Sequence, residues 1–343
     1  MLEMDPSRPA TASTPLRPLR HAFVVLLAVL LLLAACGTTQ STAEPKNTPA
    51  PTASATRIPA FKHVFVIILE NEGAQDILGN SAAPYINQLA GQSALATRYY
   101  AVTHPSLPNY IALTSGSTQS LDGRDCVVAD DCHVAGTNTN IADEIEASGR
   151  TWVAFMESMP SPCAVENSGE YLVRHNPFVY YDDIRNGGIN RCASHDLPYD
   201  SAVFQTMLAQ QQVPDFVWIT PNACHDGHNL CGGDPIAHTD TWLSQNVPPI
   251  LASSAYQQGG ILFITWDEGK NDGACCGLSS GGGRVAMLVL SPLARQGYQT
   301  TVAYSHYSLL CTIEEGWHLG LLNNSDPAVL SGTKPMNDLF GQG

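Results

Sequence analysis

The sequence is short of charge, and shortest of positive charge. Only 14% of its 343 residues are charged, and 16 basic residues stand against 31 acidic ones, a formal net charge of −15. A surface that acidic repels polyphosphate backbones and anionic lipid, which argues against DNA or RNA as a partner. Internal repeats are absent, and past the amino-terminal 60 residues there is no further break in composition. One folded domain is therefore expected, from about 61 to 340. The Gly-x-Ser-x-Gly elbow of serine hydrolases is missing, because Thr114-Ser115-Gly116-Ser117 has the wrong glycine spacing. Gly281-Gly282-Gly283-Arg284 lacks the Lys-Ser/Thr ending of a phosphate-cradling loop and reads as a tight turn into a following strand.

What is present starts with an export signal. Arg17, Arg20 and His21 precede an apolar run from Ala22 to Ala35, which is too short to span a bilayer comfortably and ends Leu33-Ala34-Ala35-Cys36. Small residues followed by cysteine resemble a lipobox, in which Cys36 becomes the lipid-bearing first residue. An uncleaved anchor and a plain secretory signal are the competing readings. Residues 37–60, rich in Thr, Ser, Ala and Pro, read as a disordered tether. The expectation is an exported cell-envelope lipoprotein, held on the outer face of the membrane through Cys36, with no protein partner. Removing residues 1–36 leaves 13 basic and 29 acidic residues, a charge of −16. Nine cysteines then remain, and in an oxidising compartment they favour disulfides over zinc thiolates. Sequence proximity suggests Cys126–Cys132, Cys163–Cys192 and Cys224–Cys231. Cys275, Cys276 and Cys311 would supply one more bridge and one free thiol.

From residue 61 short apolar runs alternate with helical stretches. The runs are 62–69 (KHVFVIIL), 151–156 (TWVAFM), 215–220 (DFVWIT), 261–266 (ILFITW) and 285–291 (VAMLVLS). Helices are expected near 84–93, 140–148, 201–211, 241–257 and 306–319. Several runs are apolar on both faces, as central strands covered by helices on each side must be. The reading is a layered α/β domain with a mostly parallel sheet.

Polar residues gather where strands end. Run 62–69 leads into Glu70-Asn71, run 215–220 into Pro221-Asn222-Ala223-Cys224-His225-Asp226-Gly227-His228, and run 261–266 into Asp267-Glu268-Gly269. Open α/β sheets bind ligands outside the carboxyl ends of their strands, so three strands deliver carboxylates, amides and imidazoles to one edge. Thr103-His104-Pro105-Ser106-Leu107-Pro108-Asn109-Tyr110 opens a helical run. A serine there lies where unbonded backbone N–H groups favour an anion, so its hydroxyl could attack phosphorus. The plain alternative is an ordinary helix cap. His225 and Asp226 could serve the site or simply ride on a loop stapled by Cys224 and Cys231.

The turn Ser106-x-Pro108-Asn109 resembles the nucleophile turn of the alkaline-phosphatase superfamily. The resemblance is closest to the phosphoesterase branch of bacterial acid phosphatases and phospholipases C. Glu70-Asn71, the 222–228 segment, Asp267-Glu268-Gly269 and Ser305-His306-Tyr307-Ser308 agree in order. By that resemblance Ser106 is the nucleophile, Asn109 helps take up charge on the phosphoryl oxygens, and Glu70, Asn71, Ser106, Asp267 and Glu268 hold a divalent metal ion. Oxygen donors suit Ca²⁺, Mg²⁺, Mn²⁺ or Zn²⁺. Two-zinc relatives carry Asp at the place of Asn222 and His at the place of Glu268, which puts a second zinc in doubt. The resemblance leaves Asn222, His228 and His306 to bind phosphate or protonate the leaving group, with a helix-capping role as the other reading of His306. It also puts His175-Asn176-Pro177 beside the substrate, where simple turn chemistry is the alternative.

The expected activity is hydrolysis of a small phosphate monoester through a phosphoserine. A phospholipase C-type diesterase is the nearer rival, and a binding lipoprotein on the same fold the farther one. A sulfatase is disfavoured because Asn109 occupies the position of that family's arginine.

Overall fold

The computed structural model describes residues 57–188, 190–228 and 231–341. The expected signal, Cys36 and the tether up to residue 56 lie outside the described residues. Ile58 and Phe61 are buried in the core, so the packed unit begins a few residues before 61. None of the described helices is long and apolar enough to cross a membrane.

Eight strands form one sheet: β1 (Val64–Leu69), β2 (Ala94–Tyr100), β3 (Trp152–Met156), β4 (Asp196–Pro198), β5 (Phe216–Thr220), β6 (Ile261–Trp266), β7 (Arg284–Leu290) and β8 (Gln299–Ser305). Their order is β4-β3-β5-β1-β6-β7-β2-β8. Only β7 runs against its neighbours β6 and β2; every other pairing is parallel. The expected mixed α/β architecture with a mostly parallel sheet is what the chain adopts.

The five apolar runs are the five central strands, and four of them, β1, β3, β5 and β6, are buried at every residue. A strand buried on both faces has no polar side to alternate with, which is why these segments read as continuous apolar runs. The sequence reading missed β2, β4 and β8. β2 (ALATRYY) and β8 (QTTVAYS) carry polar residues at partly exposed positions near one edge, and β4 has three residues at the other. Their strand character comes from pairing with a neighbour rather than from their own pattern.

Helices occupy Pro84–Gln92, Ile141–Ala147, Ser201–Ala209 and His306–Trp317, close to expectation. The helix expected at 241–257 instead starts at Pro235 and runs to Ala252. Asp234 accepts from the Ile236 N–H and Pro235 fills the first turn, a start signal lying ahead of the apolar pattern. The three proximity pairs of cysteines are bridged, Cys275 is bonded to Cys276, and Cys311 is a buried free thiol.

Candidate active site

β1 lies between β5 and β6, with Ile67 level with Ile219 on one side and Leu69 level with Trp266 on the other. The residues that follow these strands are thus held side by side. The Glu70 N–H donates to the Asp226 carbonyl, and the Asp267 N–H to that of Leu69. Asn71 turns out of the strand at φ 56°, a left-handed conformation that asparagine tolerates better than most residues. Gly227, at φ 107°, lets the β5 loop pass the Glu70 carbonyl, which a Cβ there would approach to 3.1 Å.

Ser106 opens the helix Ser106–Ser115 and is buried. Its hydroxyl donates to Glu70 Oε2 at 3.0 Å. Tyr110, one turn along the same helix face, donates to Glu70 Oε1 at 2.6 Å, and Asn71 Nδ2 donates to Oε2 at 2.7 Å. Asp267 Oδ1 receives the N–H groups of Asn71 (3.0 Å) and Glu268 (2.6 Å). Its Oδ2 is buried without a hydrogen-bond partner. His104 Nδ1 lies 2.7 Å from Glu268 Oε2. His175 stacks on Tyr110 (5.6 Å between centroids, 10° between planes). Its Nε2 is 3.3 Å from Glu70 Oε1 and its Nδ1 3.3 Å from Asp226 Oδ2. Those contacts have ion-pair distance but not hydrogen-bond alignment, since Nε2 and Asp226 Oδ2 are both left without a bonded partner.

The electrostatics follow from crowding. Burial, then the charges of Asp267 and Asp226, push the Glu70 carboxyl well above its ordinary range. Burial raises Asp267 to about 7 and Asp226 to about 7. Burial and the adjacent Asp267 raise Glu268 to about 9. His175, sealed from water, is pushed well below its ordinary value, so the one imidazole between two of these carboxylates is neutral. Four buried carboxyl groups crowd together with no Lys or Arg bonded to them among the described residues, and His104 pairs with Glu268 alone of the four. The oxygens of Glu70, Asp267, Asp226 and Glu268, with the bare Asp267 Oδ2, fit a hard divalent cation, whose charge would remove their mutual repulsion. A tighter group of donor atoms, Glu170 with Cys224 and Cys231, is closed to a metal because the two sulfurs are bonded to each other.

The structure therefore brings together Glu70, Asn71, Ser106, His175, Asp267 and Glu268. It sends other expected site residues elsewhere. Asn109 Oδ1 accepts from the N–H groups of Val102 and Thr103, and its Nδ2 donates to the carbonyls of Thr103 and Pro105. It shapes the loop ahead of Ser106 and has no donor left for a phosphoryl oxygen. Asn176 is buried against Tyr171 and Asp196 and caps Phe178. Asn222 joins Ser158, Glu170 and the N–H groups of Cys224 and His225. His306 is fully buried between the Asp267 carbonyl (2.6 Å) and the Tyr99 hydroxyl (3.1 Å), and burial lowers it to about 4. It steadies the strand that presents Asp267 and cannot carry a proton to a leaving group near neutral pH. His228 stands exposed at the rim, its N–H on Asp226 Oδ1 and its ring 6.5 Å from that of His175.

Tyr110 and His104 belong to the cluster and were not singled out for it; Asp226, weighed against a place on a stapled loop, belongs to it too, whereas His225 pairs with Glu157. A signal existed for Tyr110, which follows Ser106 by four helical positions, but a tyrosine in an apolar helix has the look of core. Arg174, bound to Asp125 at 3.0 Å, is close enough to lower both Glu268 and Asp226. The Asp125 carboxylate also accepts the Leu107 N–H, so Arg174 is fixed beside the start of the Ser106 helix.

The model of the Phosphoesterase family matches residues 77–320. The chain is 30% identical over 279 residues to a phosphatidylinositol-3-phosphatase of Mycobacterium tuberculosis, covering 80% of this chain and 84% of that protein. It is 27% identical over 277 residues to a probable acid phosphatase of Kluyveromyces lactis, covering 78% of this chain but only 61% of the yeast protein. Among solved structures, a Vibrio parahaemolyticus protein of the alkaline phosphatase superfamily superposes with a TM-score of 0.51 at 14% identity, over 77% of this chain and 68% of that one. That last likeness concerns the fold alone.

Proposed function

This chain belongs to the Phosphoesterase family, a hydrolase of phosphoric esters by its relatives, and on that premise we propose that it is a metal-dependent phosphomonoesterase acting through a phosphoserine on Ser106. The observation that carries the reading is the Ser106 hydroxyl, buried at a helix start and 3.0 Å from Glu70 in a pocket of crowded carboxyl groups. Glu70, Asn71, Ser106, Asp267 and Glu268 would hold the cation, with Asp226 beside them. A bound divalent cation supplies charge to the serine oxygen and to the phosphoryl group in such a site.

The side chains do the rest. Glu70, itself held by Tyr110 and Asn71, orients the Ser106 oxygen toward phosphorus. The hydroxyl proton passes to Glu70 Oε2 as the oxygen attacks, the P–O bond to the alcohol breaks, and the Ser106 N–H, the Leu107 N–H being held by Asp125, receives a phosphoryl oxygen at the helix start. Arg174 adds positive charge at the mouth. His228 at the rim protonates the departing alkoxide, and water then releases phosphate from Ser106. The names of the relatives, a phosphatidylinositol phosphatase and an acid phosphatase, favour a monoester substrate. Acid quench during turnover of a ³²P-labelled monoester tests the scheme. Label on the peptide holding Ser106, lost after chelation, is the expected result; turnover by a metal-free preparation, or label on Thr103, would refute it.

We also propose that the domain is exported and tethered through a lipid on Cys36. Cys36→Ser should release it from the membrane fraction or block processing.

A further inference from the structure

The carboxyl ends of β3 and β5 open onto a second feature, a groove of about 700 Å³ between the helices Ser201–Ala209 and Pro235–Ala252. That volume is within the roughly 300–1,000 Å³ typical of small-molecule sites. Glu157, His225 and Trp242 form its base. Glu157 follows β3, and His225 lies on the loop that carries Asp226 into the active site.

Charge in the groove is already answered. Glu157 Oε2 takes the His225 Nδ1 (2.9 Å) and the Asn222 N–H (2.9 Å), and Oε1 takes the Trp242 indole N–H (3.1 Å). The Asp200 carboxylate caps its helix through the N–H groups of Ala202 and Val203. Both Glu157 oxygens are thus bonded, Asp200 keeps only an exposed Oδ2 turned to solvent, and no Lys or Arg lines the groove to attract an anion. Apart from the His238 ring, what remains is uncharged. Ser201 and Gln205 are one turn apart on one helix, and Gln245 stands on the other one turn from Thr241, whose hydroxyl donates to the Ala237 carbonyl and is left as an acceptor. The side chains of Ser201, Gln205 and Gln245 make no hydrogen bond among the described residues. Paired donors and acceptors on facing walls match adjacent hydroxyl groups, each of which donates and accepts.

β3 lies two strands from β1, about 10 Å along the sheet at the usual ~4.8 Å spacing. Ser106 reaches the end of β1 through its hydrogen bond to Glu70. We infer that the groove between the two helices binds the uncharged, polyhydroxylated part of a substrate, a sugar or cyclitol ring, at a distance from the ester phosphate. Its place in catalysis rests on the phosphatase reading, but binding of the ring does not.

The test uses the whole chain and the double variant Gln205→Ala/Gln245→Ala, both positions being exposed on helix surfaces. Saturation-transfer NMR with free myo-inositol should give a signal with the wild type that the variant loses. In kinetics the variant should raise KM for 4-(β-glucosyloxy)phenyl phosphate, whose sugar is held a phenyl ring away from phosphorus, about tenfold while kcat, and both constants for phenyl phosphate, stay unchanged. Absence of inositol binding to the wild type, equal binding to the variant, or equal KM shifts for the two esters would overturn the inference. Inositol binding without turnover of any ester would instead refute the phosphatase reading and leave the groove assignment standing.

Discussion

Two carboxylate–imidazole clusters stand at the same edge of the sheet, and they are built to opposite ends. At β3 and β5, Glu157 meets His225, Trp242 and a backbone N–H, each within 3.1 Å, and every oxygen is answered. At β1 and β6, Glu70, Asp226, Asp267 and Glu268 are packed against one another, with bare oxygens on Asp267 and Asp226 and a neutral His175 between. The first arrangement favours the folded chain. The second opposes it and makes sense only if something charged arrives. Unsatisfied buried charge is thus the better guide to chemistry than the mere presence of acids and histidines.

The sharpest test of that contrast is Ser106→Ala. Losing the nucleophile should lower kcat by about 10³-fold or more, with the melting temperature almost unchanged, because one hydroxyl is removed from a pocket that is already strained. Steady-state rates beside thermal melts would decide it, and near-normal turnover would dissolve the distinction between the clusters. Asp267→Asn comes next. It should lower turnover by about 10²-fold or more and weaken metal binding, yet raise the melting point of chelator-treated protein by relieving repulsion. A lower melting point in chelator would mean that the carboxylate is structural. Glu157→Ala should act in reverse, removing about 2–3 kcal/mol of stability through its lost charged hydrogen bonds while kcat per folded molecule on phenyl phosphate changes less than threefold. Denaturant titration and activity on the same samples would show whether the two effects separate.

The smallest effect concerns Asp196, a buried carboxyl outside both clusters. Burial lifts it to about 7, above roughly 3.9 in the unfolded chain. The folded state therefore holds the proton more tightly, and its contribution is present below about pH 4 and lost as pH rises through 7. Asn176 donates to Oδ2 and Oδ1 has no partner, so Asp196→Asn keeps the bond that exists. The variant should match wild type at acid pH and be measurably the more stable by pH 8, with activity unchanged. Parallel unfolding curves across that range would remove the idea.

Much of the fold was legible. Apolar runs marked the five central strands because those strands are buried on both faces, and Glu70-Asn71 and Asp267-Glu268 stood out because acids directly after such runs have no structural excuse. β2, β4 and β8 were not legible, since they lie toward the edges and take their form from partners. The amides misled. Asn109, Asn176 and Asn222 looked like substrate ligands for the reason that makes them good tertiary braces: an amide can donate and accept at once, and a folded backbone offers it both.

The sequence by itself determined the layered α/β class, the sheet edge where chemistry gathers and the residue types that gather there. All three follow from local pattern, the period of burial along a strand and the polar residues at its end. Only the tertiary structure decided which polar side chains are answered and which are left wanting. That depends on partners far apart in sequence: Tyr110 on Glu70 across 40 residues, Asn71 on Asp267 across 196, His306 on the Asp267 carbonyl across 39. A local pattern carries no record of such pairs, because the free energy of a buried polar group is set by whatever the fold places within about 3 Å of it.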